Sequence, residues 1–165
     1  MGLLRMLKPF NLHEGLKEIY DLYLDPEYDC FFRHFEPLQT VQEFCVSVQA
    51  SGAKIISTDY GFALIKYYPR QRLADISLIL PVCNQGNGNG LNTMLEIGEL
   101  LFKDYGANRV FLTVSADDKH TNDICEKGKF QLEAVHKQSC FYDHRLHDEF
   151  RYVMTSETYF KEYGG

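Results

Sequence analysis

The spacing of apolar side chains alternates between the helical and the strand period along the chain. An apolar run at residues 3–7 is typical of a first strand. Apolar residues over positions 12–24 then recur every three to four residues, which predicts an amphipathic helix that ends before Pro26. Thr40 is a suitable N-cap for a second helix over residues 41–49.

The centre of the chain predicts a meander of strands. Three apolar, β-branched runs lie at residues 53–58, 61–68 and 73–80, with turn residues between them. Connections this short join antiparallel neighbours, because a parallel pair needs a crossover of a dozen or more residues.

The second half returns to the helical period. Apolar residues from Leu91 to Tyr105 fall on one face of a helix, which Gly106 ends. A buried strand, a short helix and a final hairpin follow, at residues 109–115, 121–128, 131–142 and 150–156. The strands before and after the long helix therefore form a parallel pair. The order β-α-α-β-β-β-α-β-α-β-β predicts one α/β domain over residues 1–165, with a mixed sheet between helices.

Composition narrows the class of protein. The 165-residue chain is 45% hydrophobic and is able to build one core. No apolar run reaches the ~18 residues that span a bilayer, and we expect no signal peptide. The five cysteines are scattered and form no C-x-x-C motif, so we expect reduced thiols, a cytoplasmic location and no metal site. The net charge of −6 argues against a nucleic-acid partner and mildly favours cationic partners such as amines.

Three alternate glycines stand immediately before the long helix, in the sequence QGNGNGL at residues 85–91. Backbone N–H groups at a helix N-terminus, with no Cβ atoms over them, form a concave site for an anion such as a pyrophosphate. The spacing matches neither a P-loop nor G-x-G-x-x-G. The alternative interpretation is a flexible Asn-Gly turn that only caps the helix.

The surroundings of this loop resemble a known family. Gln85-x-x-Gly88-x-Gly90, after a strand and before an apolar-striped helix, resembles the acetyl-CoA loop of the GNAT N-acetyltransferases. The order of elements is similar to that fold over most of the chain. The opening at residues 4–27 and the closing hairpin look like those of the RimJ/RimL-like, ribosomal-protein-type members. The resemblance implies a mostly antiparallel sheet with one splayed parallel strand pair.

The resemblance also implies that acetyl-CoA is the co-substrate. Pantetheine would lie between the splayed strands and bond to the main chain of Ile79, Leu80, Val82 and Cys83. The pyrophosphate would lie on the loop formed by Gln85, Gly86, Asn87, Gly88, Asn89 and Gly90. Because Gln85 stands where many members carry arginine, we expect binding to depend on backbone amides and to be modest in affinity.

The next helix departs from the family pattern. Asp118 stands where an asparagine that contacts pantetheine is usual, and Asn122 is able to supply that amide if the helix begins later. Cys125 stands where many members carry a tyrosine that acts as general acid. An unperturbed thiol, with a pKa of ~8.5, could donate that proton. A helical cysteine is more often a core residue, and we favour that interpretation.

An amine that attacks a thioester needs a proton acceptor. Asp75 lies in an otherwise apolar strand and aligns with an acidic base of several family members, and burial would raise its pKa into a useful range. The alternative is a solvent-facing residue on a half-buried strand. His34 is a second candidate base, although an ordinary loop histidine is the simpler interpretation.

Two further groups of side chains have open roles. Asp143, His144, His147 and Asp148 crowd the last hairpin, where we favour a charged, solvated turn over a metal site. Six aromatic residues are expected to line the acceptor side or an edge of the core: Tyr20, Tyr23, Tyr28, Phe31, Phe32 and Phe35.

The resemblance implies an N-acetyltransferase that moves acetyl from acetyl-CoA to a primary amine by direct attack. The acceptor could be a protein N-terminus, a lysine, or a small amine such as a polyamine or aminosugar. One alternative is an inactive GNAT-like scaffold with an assembly or regulatory role, suggested by Asp118 and Cys125. Another is a binding protein without a cofactor. A C-terminal edge strand is compatible with a homodimer.

Overall fold

The computed structural model describes residues 15–25, 28 and 40–164. The first strand predicted at residues 3–7 lies outside this part of the chain. The described helices are α1 (Gly15–Tyr23), α2 (Val41–Ala50), α3 (Asn89–Glu99), α4 (Lys119–Lys127) and α5 (Ser156–Tyr163). The described strands are β1 (Lys54–Ser57), β2 (Phe62–Tyr68), β3 (Leu73–Ile79), β4 (Arg109–Ser115), β5 (Gln131–Tyr142) and β6 (Arg145–Thr155).

These strands form one mixed sheet in the order β1-β2-β3-β4-β6-β5. Strands β1, β2 and β3 are the predicted antiparallel meander. Strands β3 and β4 are parallel, with α3 in the connection between them, and the remaining pairs are antiparallel. The predicted mixed sheet and its parallel pair are therefore confirmed.

The parallel pair is only partly hydrogen-bonded. Leu73 to Ile76 pair with Arg109 to Leu112, although both strands continue for three more residues. The carboxyl ends of β3 and β4 are thus held by their outer neighbours, β2 and β6, and not by each other. The stretch in which the β3–β4 register does not continue, residues 77–79 of β3 and 113–115 of β4, is called the strand gap below. The splay that the sequence led us to expect is present.

Each face of the sheet carries its own helices. Helices α3 and α4 cover the face formed by alternate residues of β3 and β4, and the core there includes Ala74, Ile76, Met94, Ile97, Val110, Leu112 and Cys125. Helices α1 and α2 lie on the opposite face at the β1–β3 side, where the core includes Ile19, Phe44, Phe62, Leu64 and Ile79. Strand β4 is buried on both faces over residues 110–112, whereas β3 alternates and carries Asp75 and Ser77 on its more exposed face.

Three features differ from the sequence-based expectation. Helix α5 was not predicted; Thr155 caps it by accepting a hydrogen bond from the Thr158 N–H, and Tyr159 anchors it by stacking on Phe102. Strand β6 begins five residues earlier than expected, at Arg145. The long helix ends in a π-helical segment, Leu100–Asp104, closed by a hydrogen bond from Tyr105 N–H to the Leu100 carbonyl.

Candidate active site

The glycine loop joins the end of β3 to the start of α3 beside the strand gap. Gly88 is the N-cap of α3 and adopts the left-handed conformation, with φ 80°. No side chain caps this helix. A Cβ atom added at Gly88 would meet nothing within 4 Å. Glycine is therefore needed at this position for the backbone conformation, and the space above it is open.

The first turn of α3 keeps several amides available. In the loop, the Asn89 N–H donates to the Gly86 carbonyl and the Asn92 N–H donates to the Gly88 carbonyl. Within the described residues, the N–H groups of Gly90 and Leu91 have no such acceptor. Unpaired N–H groups together with the positive end of the helix dipole attract an anion.

The third glycine has a different role from the one predicted. A Cβ atom at Gly90 would lie 2.5 Å from Cδ1 of Ile124 in α4. Gly90 is buried, and its missing side chain allows α3 and α4 to pack closely at the gap. This packing role was not predicted, since we expected Gly90 to make room for a ligand.

Side-chain hydrogen bonds to the backbone hold the glycine loop in place. The Asn84 side chain donates to the Tyr60 carbonyl at 2.8 Å, and that of Asn89 donates to the Asn84 carbonyl at 3.0 Å. Gln85 Nε2 donates to the Leu80 carbonyl at 3.1 Å, so the side chain predicted to contact pyrophosphate is used, at least in part, to fix the loop. The loop is therefore folded on itself and is not a free turn.

The predicted pantetheine-binding main chain lies at the mouth of the gap. Ile79 is the last residue of β3, and its outer edge pairs with Phe62. Leu80 follows the strand, and the 3₁₀ turn Val82–Asn84 then leads to the glycine loop. Cys83 in this turn is exposed. The chain from β3 to α3 therefore runs along one side of the gap.

Helix α4 begins on the other side of the gap, and its own side chain caps it. Asp118 accepts a hydrogen bond from the Thr121 N–H at 3.0 Å. Asn122 Nδ2 donates to the carbonyls of Ser115, at 2.9 Å, and Asp118, at 2.7 Å. Among the described residues Asn122 Oδ1 is buried without a hydrogen-bond partner. That oxygen is suited to accept an N–H from a ligand in the gap, which fits the role predicted for Asn122 better than for Asp118.

Cys125 points into the core between α4 and the sheet. The residue is fully buried, and burial raises the pKa of its thiol to about 12, with smaller contributions from Asp118 and Glu126. A buried thiol this weakly acidic packs as a small apolar side chain. The structure thus favours the core interpretation of Cys125 over the proton-donor interpretation.

Asp75 lies on the sheet face opposite α3 and α4, two residues before the gap opens at Ser77. Its side chain is 42% exposed and forms an ion pair with Arg151 of β6 at 3.3 Å. The burial that we expected for Asp75 is therefore absent. Arg151 also lies over the ring of Phe111, with its guanidinium carbon 4.3 Å from the ring centroid. Phe111 is the β4 residue in register with Asp75.

The polar hairpin is only in part a solvated turn. Asp143 and His144 form an exposed two-residue turn with positive φ values. His147, however, is buried in β6: its Nδ1 lies 2.6 Å from Asp117 and its Nε2 lies 3.0 Å from the Tyr142 carbonyl. The expectation of a solvated His147 is wrong, because loop residues distant in sequence cover it. Asp148 is partly buried and paired with Lys137.

Other candidates lie outside or away from the gap. His34, Phe31, Phe32 and Phe35 are outside the described residues. Tyr20, Tyr23 and Tyr28 belong to the core edge under α1 and α2, where Tyr23 packs on Phe44 with ring centroids 4.8 Å apart. Within the described chain, no group of three or more His, Cys, Asp or Glu is arranged to hold a metal, and no helix is long and apolar enough to cross a bilayer.

Solved structures share this architecture. Spermidine N-acetyltransferase from Vibrio cholerae, in complex with CoA and spermine, superposes with a TM-score of 0.81 at 15% identity over 92% of this chain and 95% of its own. A probable acetyltransferase superposes with a TM-score of 0.69 at 12% identity, over 93% and 92%. The fold is that of the GNAT acetyltransferases. A dodecameric form of the V. cholerae enzyme matches with a TM-score of 0.72 at 15% identity, over 90% and 92%.

Comparisons of sequence alone find no relative of the chain. No protein-family model matches the chain, and no curated protein matches it. The geometry of the chain must therefore support any functional assignment.

Proposed function

We propose that the chain is a GNAT N-acetyltransferase that moves acetyl from acetyl-CoA to a primary amine. The observation that carries this proposal is the strand gap with the uncapped first turn of α3 at its mouth. A diphosphate on the amides of residues 86–91 would place pantetheine between β3 and β4. The unpaired Asn122 Oδ1 would accept an N–H from it. An ordinary helix cap does not require this arrangement.

The reaction needs little covalent chemistry from the protein. The amine nitrogen attacks the thioester carbon, the C–S bond breaks, and CoA leaves as a thiolate that takes up a proton. The nitrogen loses its proton to Asp75, directly or through water, because Asp75 is the carboxylate beside the apex of the gap. Unpaired main-chain N–H groups of β3 in the gap would polarise the thioester carbonyl.

The finer assignments belong to the same proposal. The acceptor is a protein N-terminus, a lysine or a small amine. The V. cholerae neighbour is a spermidine acetyltransferase, which favours a small amine. The sequence features resemble RimJ/RimL-like members, which favours a protein N-terminus. We propose a cytoplasmic enzyme without a catalytic metal. Self-association is supported by the dodecameric neighbour and by the exposed edge strand β5.

The test is thiol release from acetyl-CoA in the presence of a panel of amines, beside calorimetry with CoA. We expect CoA binding and amine-dependent release of free thiol, both lost in Gly88→Trp. CoA binding without turnover of any amine would favour the inactive scaffold, for which the buried Cys125 is the specific observation. Absence of CoA binding would refute the transferase.

A further inference from the structure

Two arginines contact the same phenylalanine ring on the sheet face opposite α3 and α4, the face left open to an acceptor if CoA enters from the α3 side. Arg151 is in register with Thr113, the first β4 residue of the strand gap. Its guanidinium carbon lies 4.3 Å from the Phe111 ring centroid, and that of Arg109 lies 5.0 Å from the same centroid. Phe111 itself is in register with Asp75. Arg151 therefore lies beside the apex of the gap, where the thioester is expected, whereas the backbone of Arg109 lies at the far end of the paired stretch.

Each arginine keeps N–H donors that its carboxylate partner does not use. Arg151 pairs with Asp75 through one nitrogen at 3.3 Å, and Arg109 pairs with Glu133. Their side chains remain 33% and 38% exposed. A guanidinium has five N–H donors in a planar fork, so each retains donors along its edge after one such contact. Stacking on Phe111 limits the motion of both groups and thereby prepares them to bind a planar anion.

The charges around Phe111 are nearly balanced. Lys66 is in register with Asp75 and is exposed on the same sheet face. With the two arginines it faces the carboxylates of Asp75 and Glu133, and the buried Glu149 lies two residues from Arg151 on the same face of β6. An anionic group would therefore be attracted by the N–H donors that Arg151 keeps, and not by a net positive charge.

We infer that the acceptor carries a carboxylate close to its reactive amine, as an amino acid or a peptide with an acidic N-terminal residue does. Arg151 binds that carboxylate, with Arg109 beside it, and so selects the acceptor. This inference rests on the acetyltransferase activity proposed above. It separates the chain from a polyamine enzyme, although the V. cholerae neighbours act on spermidine.

The test compares acceptors that differ only in charge, with acetyl-CoA held constant. An amino acid is compared with its carboxamide, a peptide that begins with aspartate is compared with one that begins with asparagine, and spermidine is the polycation. We expect kcat/KM to be at least about tenfold higher for the charged member of one pair or both, since a charge-assisted hydrogen bond has about that effect. The pair with the larger ratio identifies a free amino acid or a peptide.

Substitutions of Arg151 test whether this residue causes the preference for an acceptor with a carboxylate. Arg151→Met keeps an apolar stem on Phe111 and should lower kcat/KM for the carboxylate acceptor about 10- to 100-fold more than for its uncharged analogue, mostly through KM. Because Arg151 also pairs with Asp75, the proposed proton acceptor, a smaller loss in kcat should be common to both acceptors. Arg151→Lys should recover part of the loss. Arg70→Met, in the exposed β2–β3 turn, is the matched control and should change nothing.

The outcomes separate this inference from the proposed function. Preference for spermidine or the uncharged analogue, or an equal loss for every acceptor in Arg151→Met, would overturn the role of Arg151 and leave the transferase standing. CoA binding by each variant, measured by calorimetry, shows that it is folded. A wild-type protein that binds no CoA would refute both.

Discussion

Helices α3 and α4 both begin beside the strand gap, but their first turns are built differently. Helix α3 starts at a left-handed glycine without a side-chain cap, and open space lies above it. Helix α4 starts at Asp118, whose carboxylate already accepts from the Thr121 N–H. A Ser, Thr, Asp or Asn side chain at the N-cap stabilises a helix by accepting a hydrogen bond from its first turn. The proposed binding of acetyl-CoA would supply the missing partner at α3, whereas α4 supplies its own anion.

The largest effect is expected from filling the space above α3. Gly88→Trp should weaken CoA binding by about 100-fold or more, because a side chain at this position covers the amides and loses several charge-assisted hydrogen bonds. Gly52→Trp is the matched control, since Gly52 also has a positive φ and open space but lies in the α2–β1 turn. Calorimetry measures both. Equal affinity losses in the two variants would mean that only backbone strain was being observed.

The next effect concerns the buried amide of α4. Asn122→Asp would place an acceptor oxygen against the carbonyls of Ser115 and Asp118, where Nδ2 now donates. We expect the free energy of unfolding to fall by about 2 kcal/mol, with weaker CoA binding as well. Urea unfolding measures the first effect, with the exposed Asn87→Asp as control for stability. An Asn122→Asp protein as stable as wild type would show that these hydrogen bonds are not formed.

A smaller effect is expected from removing the cap of α4. Asp118→Ala should lower the free energy of unfolding by about 1 kcal/mol, because the Thr121 N–H loses its acceptor. Asp118→Asn keeps an oxygen at the same position and should retain most of the stability. CoA affinity should change far less than in Gly88→Trp. A loss of CoA binding as large as in Gly88→Trp would place the anion at α4 and reverse the comparison.

The smallest effect should be a gain. Gln85→Arg adds a positive charge beside the uncapped turn and should strengthen CoA binding by about fivefold at low salt, with the gain shrinking as salt screens the charge. Calorimetry at two salt concentrations checks this. Weaker binding would indicate that the bond from Gln85 to the Leu80 carbonyl, which the substitution removes, matters more than charge.

The sequence predicted the elements that local patterns determine. The meander, the long helix and strands β4 and β5 follow from periodicity and turn residues, and the glycine loop was located by its spacing. Helix α5 was missed although a signal exists: Thr155 is a suitable N-cap, and Tyr159 and Tyr163 have helical spacing. A strand pattern that ran up to Thr155 obscured it.

The structural roles that the sequence did not predict depend on contacts between segments that are distant in sequence. His147 looks like a turn residue beside charged neighbours, but in the structure Asp117, 30 positions away, contacts its Nδ1 and the Tyr142 ring stacks on it. Arg151 stands within a strand pattern, and its pairing with Asp75 and stacking on Phe111 require three strands to be aligned. No local pattern distinguishes such a residue from an ordinary exposed arginine. The second role of Gly90, against Ile124, has the same origin.

The most direct test of the account is a ¹H–¹⁵N correlation spectrum of the chain titrated with acetyl-CoA. If main-chain amides at the start of α3 hold the diphosphate, the N–H resonances of residues 86–91 should shift most on saturation. Those of the capped first turn of α4, residues 119–121, should move much less. Unchanged resonances at residues 86–91 in a protein saturated with acetyl-CoA, or larger shifts at the start of α4, would contradict the central claim.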